Sequence, residues 1–547
     1  MQHFLDEMLR REGLGNAMHE RGCSCCKIPW DSRSRRFRCR DCGVFVQCMD
    51  CVLERHRLTP LHKLQVYVFA QEWKGNCWVP STLESLGSVY QLGHGGHPCQ
   101  HPAPAVRTMV VLDVGHIHTV KFRYFACDSS DTAQNLEQLL RNNWYPATTV
   151  DPATCATLAS LDLFRLLNVV GNINVHDFVG ALEQSTNACD VKGVPVSFGL
   201  MARQHVFLTR LKRAGRAHDP AGIRATKNGE CAVQCWCCPH DEINLPEGWR
   251  DVAPEYQFLY MMLLAMDANF RLRHRLRANE HEDRLLGSGW GHLVEDGPYK
   301  EHLKGYVAEK DVSTCIAFAA LLQKDTRLAT GLRASGVGGV VCARHEVVRP
   351  QGVGDLQKGE RYSNMDYILL SSILGITVMY LAISYDIACQ WKLHFPARMS
   401  AMPEHMRLDL SRVKLLYGLP VWHAAAHERK CQVQNSLSYI PGVGRTDGEG
   451  IKRTWSGFNP LAWATKEMMS GARADAFEDK IDHHNFLKNV NQGTTLPRKL
   501  ILAMDERNRQ VAAFKEVDGT LKKELRRKWQ KQIDEWIKQG LLKAKSI

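Results

Sequence analysis

The sequence predicts an α/β protein: an N-terminal zinc-binding cysteine cluster, then a core of buried strands and helices, then a charged helical tail. Three observations predict it. Nine Cys and His residues crowd the stretch from Cys23 to His62, eight of them in pairs. Two apolar runs, "YMMLLAMD" and "ITVMYLAISYD", each end in an aspartate, Asp267 and Asp386. The final segment, 491–547, is rich in Lys and Arg at helical spacing, as in "KKELRRKWQK".

The chain has 547 residues, enough for two to four domains. It is 44% hydrophobic and 23% charged, which excludes general disorder. Lys and Arg number 70 against 58 Asp and Glu, a net charge of +12. That mildly basic balance suits a polyanionic partner and equally suits a soluble enzyme of basic pI. Twenty cysteines come in close pairs, often beside His, and the opening "MQHFLDEMLR" is charged and amphipathic, unlike a secretory signal. Such cysteines read as thiolate metal ligands in a reducing compartment rather than as disulfides.

In segment 1–70 the pairs are Cys23/Cys26, Cys39/Cys42, Cys48/Cys51 and His56/His62. Zinc takes four soft or borderline ligands in a tetrahedron, and each CxxC turn supplies two. Interleaving the pairs predicts one site at Cys23, Cys26, Cys48 and Cys51, and another at Cys39, Cys42, His56 and His62. Cys25 is a spare thiol able to replace Cys26. The spacing resembles cross-braced B-box and RING-like modules, which mostly bind proteins and sometimes nucleic acid. "RSRRFRCR", Arg33 to Arg40, reads as a basic loop, either solvated or facing phosphate.

Segment 71–135 reads as a strand-rich extension of this domain. "TMVVLDVGHIHTVKFRYFAC" alternates like two strands, and His94, Cys99, His118 and Cys127 form an irregularly spaced candidate metal group. Segment 136–240 reads as helical, with "ATLASLDLFRLLNVVG" the clearest amphipathic run. It ends at a zinc half-site, Cys235 and Cys238. Two further halves lie far off, Cys342/His345 and His427/Cys431, and the sequence does not choose which of the three meet.

Segment 241–490 carries the core. Strands buried on both faces read as continuous apolar runs, and functional groups gather at their ends. Two carboxylates held close repel each other unless a cation lies between them, and Mg²⁺ is the usual one for phosphate chemistry. "GVGRTDGEGIKRTW" offers a third acid, Glu449, at the start of a helix, with Asp447 as the expected N-cap. The run "YILLSSILGITVMYLAISYD" is interrupted by Ser371, Ser372 and Gly375, so it reads as a helix, a turn and a strand rather than a membrane span.

Taken together, "FLDEMLRREGLGNA", "LESLGSVYQLGH", "CCPHDEINLP", "MDANFRLRHR", "GGVVCARHEVVRPQGVGDLQKGERYSNMDY", "SYDIACQW", "AAHERKCQ" and "GVGRTDGEGIKRTW" resemble a fungal Kyakuja–Dileera–Zisupton transposase with its CxC-type cysteine cluster. The resemblance spans Phe4 to about Asn485. It implies a ribonuclease-H-like DDE core, a mixed sheet flanked by helices, with the first acid on the first strand, the second at the end of the fourth, and the third on a following helix. Asp267, Asp386 and Glu449 fit that order, with a helical insertion between the last two. The resemblance further implies structural Zn²⁺, catalytic Mg²⁺ or Mn²⁺, double-stranded transposon-end DNA as substrate, self-association and a nuclear setting. "RLRHRLR" (Arg271 to Arg277) and Lys522 to Lys531 would supply phosphate contacts.

The chain departs from the family's pattern at three places. Relatives commonly read Glu-Arg where it has Lys452-Arg453, so the third acid is Glu449 or has been lost. "CDSS" lacks the cysteine expected after Cys127, and the resemblance leads one to expect relatives to run longer after the charged tail. These departures keep two alternatives open: a catalytically inactive, transposon-derived DNA-binding or regulatory protein, and a B-box-like scaffold for protein partners.

Overall fold

The computed structural model describes all residues except 70–75, 95–96, 128–133, 189–196, 278–282, 284, 307–330 and 544–547. They divide into two compact units, Met1–Val206 and Phe207–Ile547.

The first unit opens with the helix Gln2–Glu12. A four-stranded antiparallel sheet follows, ordered Gly43–Gln47, Arg36–Cys39, Leu64–Val68, Cys77–Ser81. Alternation along Arg36–Cys39 buries Phe37 and Cys39 against Leu64 and Val52, the latter from the short helix Met49–Arg55. The expected basic loop is therefore partly a strand. Its Arg38 guanidinium lies 4.3 Å over the Trp78 ring and donates from Nε to Gln65 Oε1 at 2.7 Å, so it is engaged within the unit.

A second sheet runs Trp144–Pro146, Thr154–Thr157, Arg107–Asp113, His116–Arg123, Tyr90–Gln91. The two long strands form the alternating hairpin expected of "TMVVLDVGHIHTVKFR", turning at Val114 and Gly115. The first two strands lie beyond the boundary drawn at 135, so the strand-rich region continues into the segment read as helical. They are three and four residues long, too short for a period-two pattern to register. One face of this sheet packs Met109, Val111, Phe122 and Trp144 together. The other buries Leu112 and Ala156 under the helices Leu158–Gly171 and Val175–Asn187, through Phe164 and Phe178.

The core strands of the second unit are labelled β1 (Met262–Asn269), β2 (Gly336–Cys342), β3 (Val348–Leu356), β4 (Tyr380–Ser384) and β5 (Lys414–Gly418). They form one sheet in the order β3-β2-β1-β4-β5. The pairs β1–β2 and β2–β3 are antiparallel, whereas β1–β4 and β4–β5 are parallel. Both faces are covered, which is why β1 and β4 read as continuous apolar runs. Met262, Leu264 and Met266 point to one side with Leu381 and Ile383, under the helix α1 (Tyr362–Ser372) and the helix α2 (Ala388–Ser400). Leu263, Ala265 and Ala382 point to the other, under the helix α3 (Gly450–Phe458) and the helix α4 (Ser470–Val490). The membrane-like run resolves into α1, a turn with Gly375 at φ +72°, and β4. From Ser363 to Ser372, α1 is buried on every side, which explains its uniform hydrophobicity. Among the described residues no helix is long and apolar enough to cross a membrane.

After β5, the short helices Val421–Ala424 and Arg429–Asn435 carry "HAAAHERKC". The stretch between Asp386 and Glu449 is therefore not purely helical, since it also contains β5. The tail forms the helices α5 (Gln492–Thr520) and α6 (Lys523–Lys543).

A buried ionic cluster holds α4 in place. Asp482 of α4 lies 3.0 Å from Arg210 Nε, 3.1 Å from Arg213 Nη2 and 3.3 Å from His292 Nε2. Burial alone would raise the Asp482 carboxyl, but a hydrogen bond from His292 and the two guanidiniums hold it well below the usual carboxylate range. Asp482→Asn is expected to lower stability by about 3 kcal/mol, the low end of the cost of breaking a buried ion pair, because the charges of Glu478 and Asp475 still act on Arg210. Because the folded pKa is depressed, this contribution is complete above the unfolded value of about 3.9 and is lost as pH falls toward the folded one. Urea titrations at pH 7 and pH 3.5 measure it, and equal midpoints for parent and variant at pH 7 would refute it.

Candidate functional site

Asp267 lies on β1 and Asp386 lies just past the end of β4. The parallel register pairs Met262 with Leu381 and Ala265 with Ser384. Continued two residues, it sets Asp267 opposite Asp386, and strand alternation directs both to the face covered by α3. Burial, then the charge of Asp386 and that of Glu360, pushes the Asp267 carboxyl well above its ordinary value.

Glu449 arrives from the "GVGRTDGEG" loop. Gly448, at φ +75°, lies so close to Ser384 that a Cβ there would collide with its side chain, so only glycine lets the loop reach the end of β4. Gly339, paired with Asp267 across β2, has the Trp455 ring where a Cβ would stand, which lets α3 approach the sheet. Asp447, expected as the N-cap of α3, instead accepts a hydrogen bond from the Glu449 backbone N–H at 3.0 Å, and Glu449 itself occupies the cap position. The Asx-type turn delays the helix by two residues and aims Glu449 inward.

At the centre sits an internal cation. Lys452 Nζ lies 2.9 Å from Asp386 Oδ2 and 3.0 Å from Glu449 Oε2. His423 Nε2 lies 3.0 Å from Asp386 Oδ2, and its Nδ1 is 3.7 Å from Glu449 Oε1. The ligand atoms of Asp386, His423 and Glu449 all lie within 4.8 Å of one another, a spacing suited to a metal ion. The carboxylate of Asp386, at hydrogen-bonding distance, and that of Glu449 raise His423 to about 9, against burial and the Lys452 ammonium, whose Nζ lies 2.6 Å from His423 Nδ1. Burial works against ionisation of Glu449, but His423 and Lys452 overcome it and lower the carboxyl to about 2.

The cysteine-cluster ligands also converge. Cys23, Cys26, Cys48 and Cys51 form one group and Cys39, Cys42, His56 and His62 another, each with ligand atoms within 4.8 Å. In the first, Cys26 Sγ is 3.8 Å from Cys48 Sγ, and the Cys48 N–H donates to Cys23 Sγ at 3.3 Å. In the second, Cys42 Sγ lies 3.4 Å from His56 Nε2 and 3.3 Å from His62 Nδ1. His56 Nδ1 faces the Val52 carbonyl at 2.7 Å, which fixes that nitrogen as the donor and leaves Nε2 as the ligand atom. Cys25 is exposed and outside both groups. Of the irregular candidate set, the His94 side chain lies outside the described residues, while Cys99 and Cys127 pack against the apolar face of the second sheet. His427 and Cys431 meet Cys389 instead of either distant half, and Cys235 and Cys238 meet Cys342 and His345.

His423, Lys452 and Cys389 went unassigned in the sequence reading. The recurrence of ligand types four residues apart, at His423, His427 and Cys431, was a signal for the first.

An α/β sheet with a metal-sized group of two carboxylates and an imidazole at its strand ends, in a chain that also carries cysteine clusters of metal-binding geometry, defines the class. Residues 260–485 match the Kyakuja-Dileera-Zisupton (KDZ) transposase family model, and 83–190 match the CxC2-like cysteine cluster associated with KDZ transposases. The chain belongs to the KDZ transposase family. No curated protein and no solved structure matches it.

Proposed function

We propose that the chain is a DNA transposase that cleaves and joins DNA strands at Asp267, Asp386 and Glu449, on a core of the ribonuclease-H-like type. The observation carrying this reading is that Asp386 and Glu449 close with His423 into one metal-sized group, while Asp267, outside that group, stands beside Asp386 by strand register. The strand order β3-β2-β1-β4-β5, antiparallel in its first three strands and parallel in its last, supports the fold type.

The donor set fits a hard divalent cation. The carboxylates of Asp386 and Glu449 suit Mg²⁺ or Mn²⁺ with His423 as a nitrogen donor beside them, and burial with the charge of Asp386 disfavours an ionised Asp267 unless a cation faces it. When bound, two such ions would supply an activated water or 3′-hydroxyl and neutralise the leaving oxygen. The three acids act as ionised ligands, and α3 holds Glu449 against the sheet. Arg271, Arg273 and Lys466, with Trp463, line a cleft that continues from β1, a basic and aromatic surface fit for the DNA backbone and its bases. Arg275 and Arg277 each pair with Glu467 at 2.9 Å and are less available. A nuclear location follows from this activity.

One observation favours a second reading, that of an inactive descendant retaining DNA binding. The Lys452 ammonium occupies the place between Asp386 and Glu449 that a divalent ion would take. Lys452→Met keeps the aliphatic stem and removes the competing charge. It is expected to bind Mn²⁺ at least about tenfold more tightly than the parent, a difference of roughly 1.4 kcal/mol, modest because the ammonium is partly solvated. Calorimetry measures this, while Mn²⁺-dependent nicking of labelled terminal-repeat DNA tests the function. If parent and variant both bind that DNA and neither cuts it, the inactive reading replaces the proposal.

A further inference from the structure

We propose that Cys235, Cys238, Cys342 and His345 bind a structural zinc ion that locks the segment preceding the core onto the β2–β3 hairpin.

The ligands come from two places far apart in sequence. Cys235 and Cys238 flank the turn "CWCC", a CxxC knuckle, while Cys342 ends β2 and His345 lies in the turn leading to β3. The four ligand atoms all lie within 4.8 Å of one another. His345 Nδ1 is 3.4 Å from Cys235 Sγ and 3.3 Å from Cys342 Sγ. A zinc tetrahedron with Zn–S of about 2.3 Å and Zn–N of about 2.0–2.1 Å has S–N edges of about 3.5 Å, close to both separations. Three sulfur donors and one imidazole select a soft or borderline ion over Mg²⁺ or Ca²⁺. Four protein ligands leave no open position, which marks a structural site. The three thiols are buried, each 2% exposed, so water does not compete for the ion.

The supporting shell is built to hold the knuckle. Asn489 of α4 donates to the Gln234 carbonyl at 2.7 Å and accepts from the Trp236 N–H at 3.3 Å. Asn485 bridges the two ligand-bearing segments, donating at 2.9 Å to both the Val233 and Val348 carbonyls. Asn244 donates to the Cys238 carbonyl at 2.8 Å, and Gln492 Nε2 reaches Cys235 Sγ at 3.8 Å. Such outer partners orient the ligands of a metal site.

The site also bears on the group at Asp386 and Glu449. Glu346, next to His345, pairs with Lys488 of α4 and with Arg453 of α3. Arg453 in turn pairs with Asp447 at 2.8 Å, in the turn that aims Glu449. An ion fixing this hairpin thus braces the helix behind the third acid, so the four residues act as positioning residues.

Metal analysis of the full-length protein after exhaustive dialysis tests the site. Cys238→Ser is expected to lose one zinc equivalent relative to the parent, and His345→Cys, which leaves a four-cysteine site, is expected to keep it. Folded Cys238→Ser protein with the parent's full zinc complement would overturn the proposal. Zinc-edge anomalous diffraction from crystals of the unsubstituted chain decides the matter even if Cys238→Ser does not fold. A peak bonded to the three sulfurs and His345 Nδ1 is expected, and its absence would equally overturn the proposal.

Discussion

Asp386→Asn is expected to abolish Mn²⁺-dependent strand cleavage, by about 10²–10³-fold or more, while DNA affinity stays within about twofold. The rate figure is what removal of one preorganised electrostatic group costs an active site. The amide keeps the shape of the carboxylate and loses its charge, so it no longer serves as an anionic ligand. It also relieves Asp267, whose carboxyl is raised partly by its neighbour's charge, so Asp267 should ionise at lower pH in the variant. Lys452 and His423 lose a partner at 2.9 Å and 3.0 Å and retain Glu449. DNA affinity should hold because phosphate contacts come from basic side chains, none of which changes. Cleavage of a labelled transposon-end duplex measures the rate, and a filter-binding titration at one fixed salt concentration measures affinity. Cleavage within tenfold of the parent would remove Asp386 from the machinery. A parallel collapse of DNA binding would make its role structural.

The parts of this site that were legible in the sequence share a physical cause. β1 and β4 are buried on both faces, so each appears as an unbroken apolar run, and the charge that ends each run stands out as Asp267 and Asp386. The CxxC knuckles were legible because both members of a pair sit within one turn. What the sequence left open depends on contacts between distant segments. Cys235 and His345 are 110 residues apart, and no local pattern selects that pairing over His427 and Cys431. Lys452 was visible as a departure from the family, but its place between two carboxylates follows from the exit angle of α3, which Gly448 and the Asp447 turn set. Trp144–Pro146 and Thr154–Thr157, in the segment read as helical, are strands by pairing, one with the other and then with Arg107–Asp113, and no local pattern announces them.

Stripping zinc from the full-length protein is expected to unfold the N-terminal sheet while the strands of the second unit keep their order. The apolar core around the cluster is small, with Phe37, Val52, Leu64 and Leu83 its buried members beside Cys39. So few buried side chains do not offset the conformational entropy of ordering the strands and helix they join. Structural zinc supplies about 10–16 kcal/mol per ion in small modules, and two ligand groups are present. The interleaving makes the loss cooperative. Cys39 lies on the strand Arg36–Cys39, and Cys48 caps the helix Met49–Arg55, which ends at His56, so releasing either ion frees elements that the other needs. Thiolate ligands must be deprotonated, so retention of zinc should weaken as pH falls. Hydrogen exchange with and without a chelator reads the outcome. Amides of Arg36–Cys39, Gly43–Gln47 and Leu64–Val68 are expected to lose protection by at least about a thousandfold, the equivalent of roughly 4 kcal/mol, while those of Met262–Asn269 stay protected. His56→Ala, which removes a ligand from one group alone, should expose the same amides in the presence of zinc. Protection that survives removal of the metal would show that the small apolar core suffices and that the eight ligands are not what holds this module together.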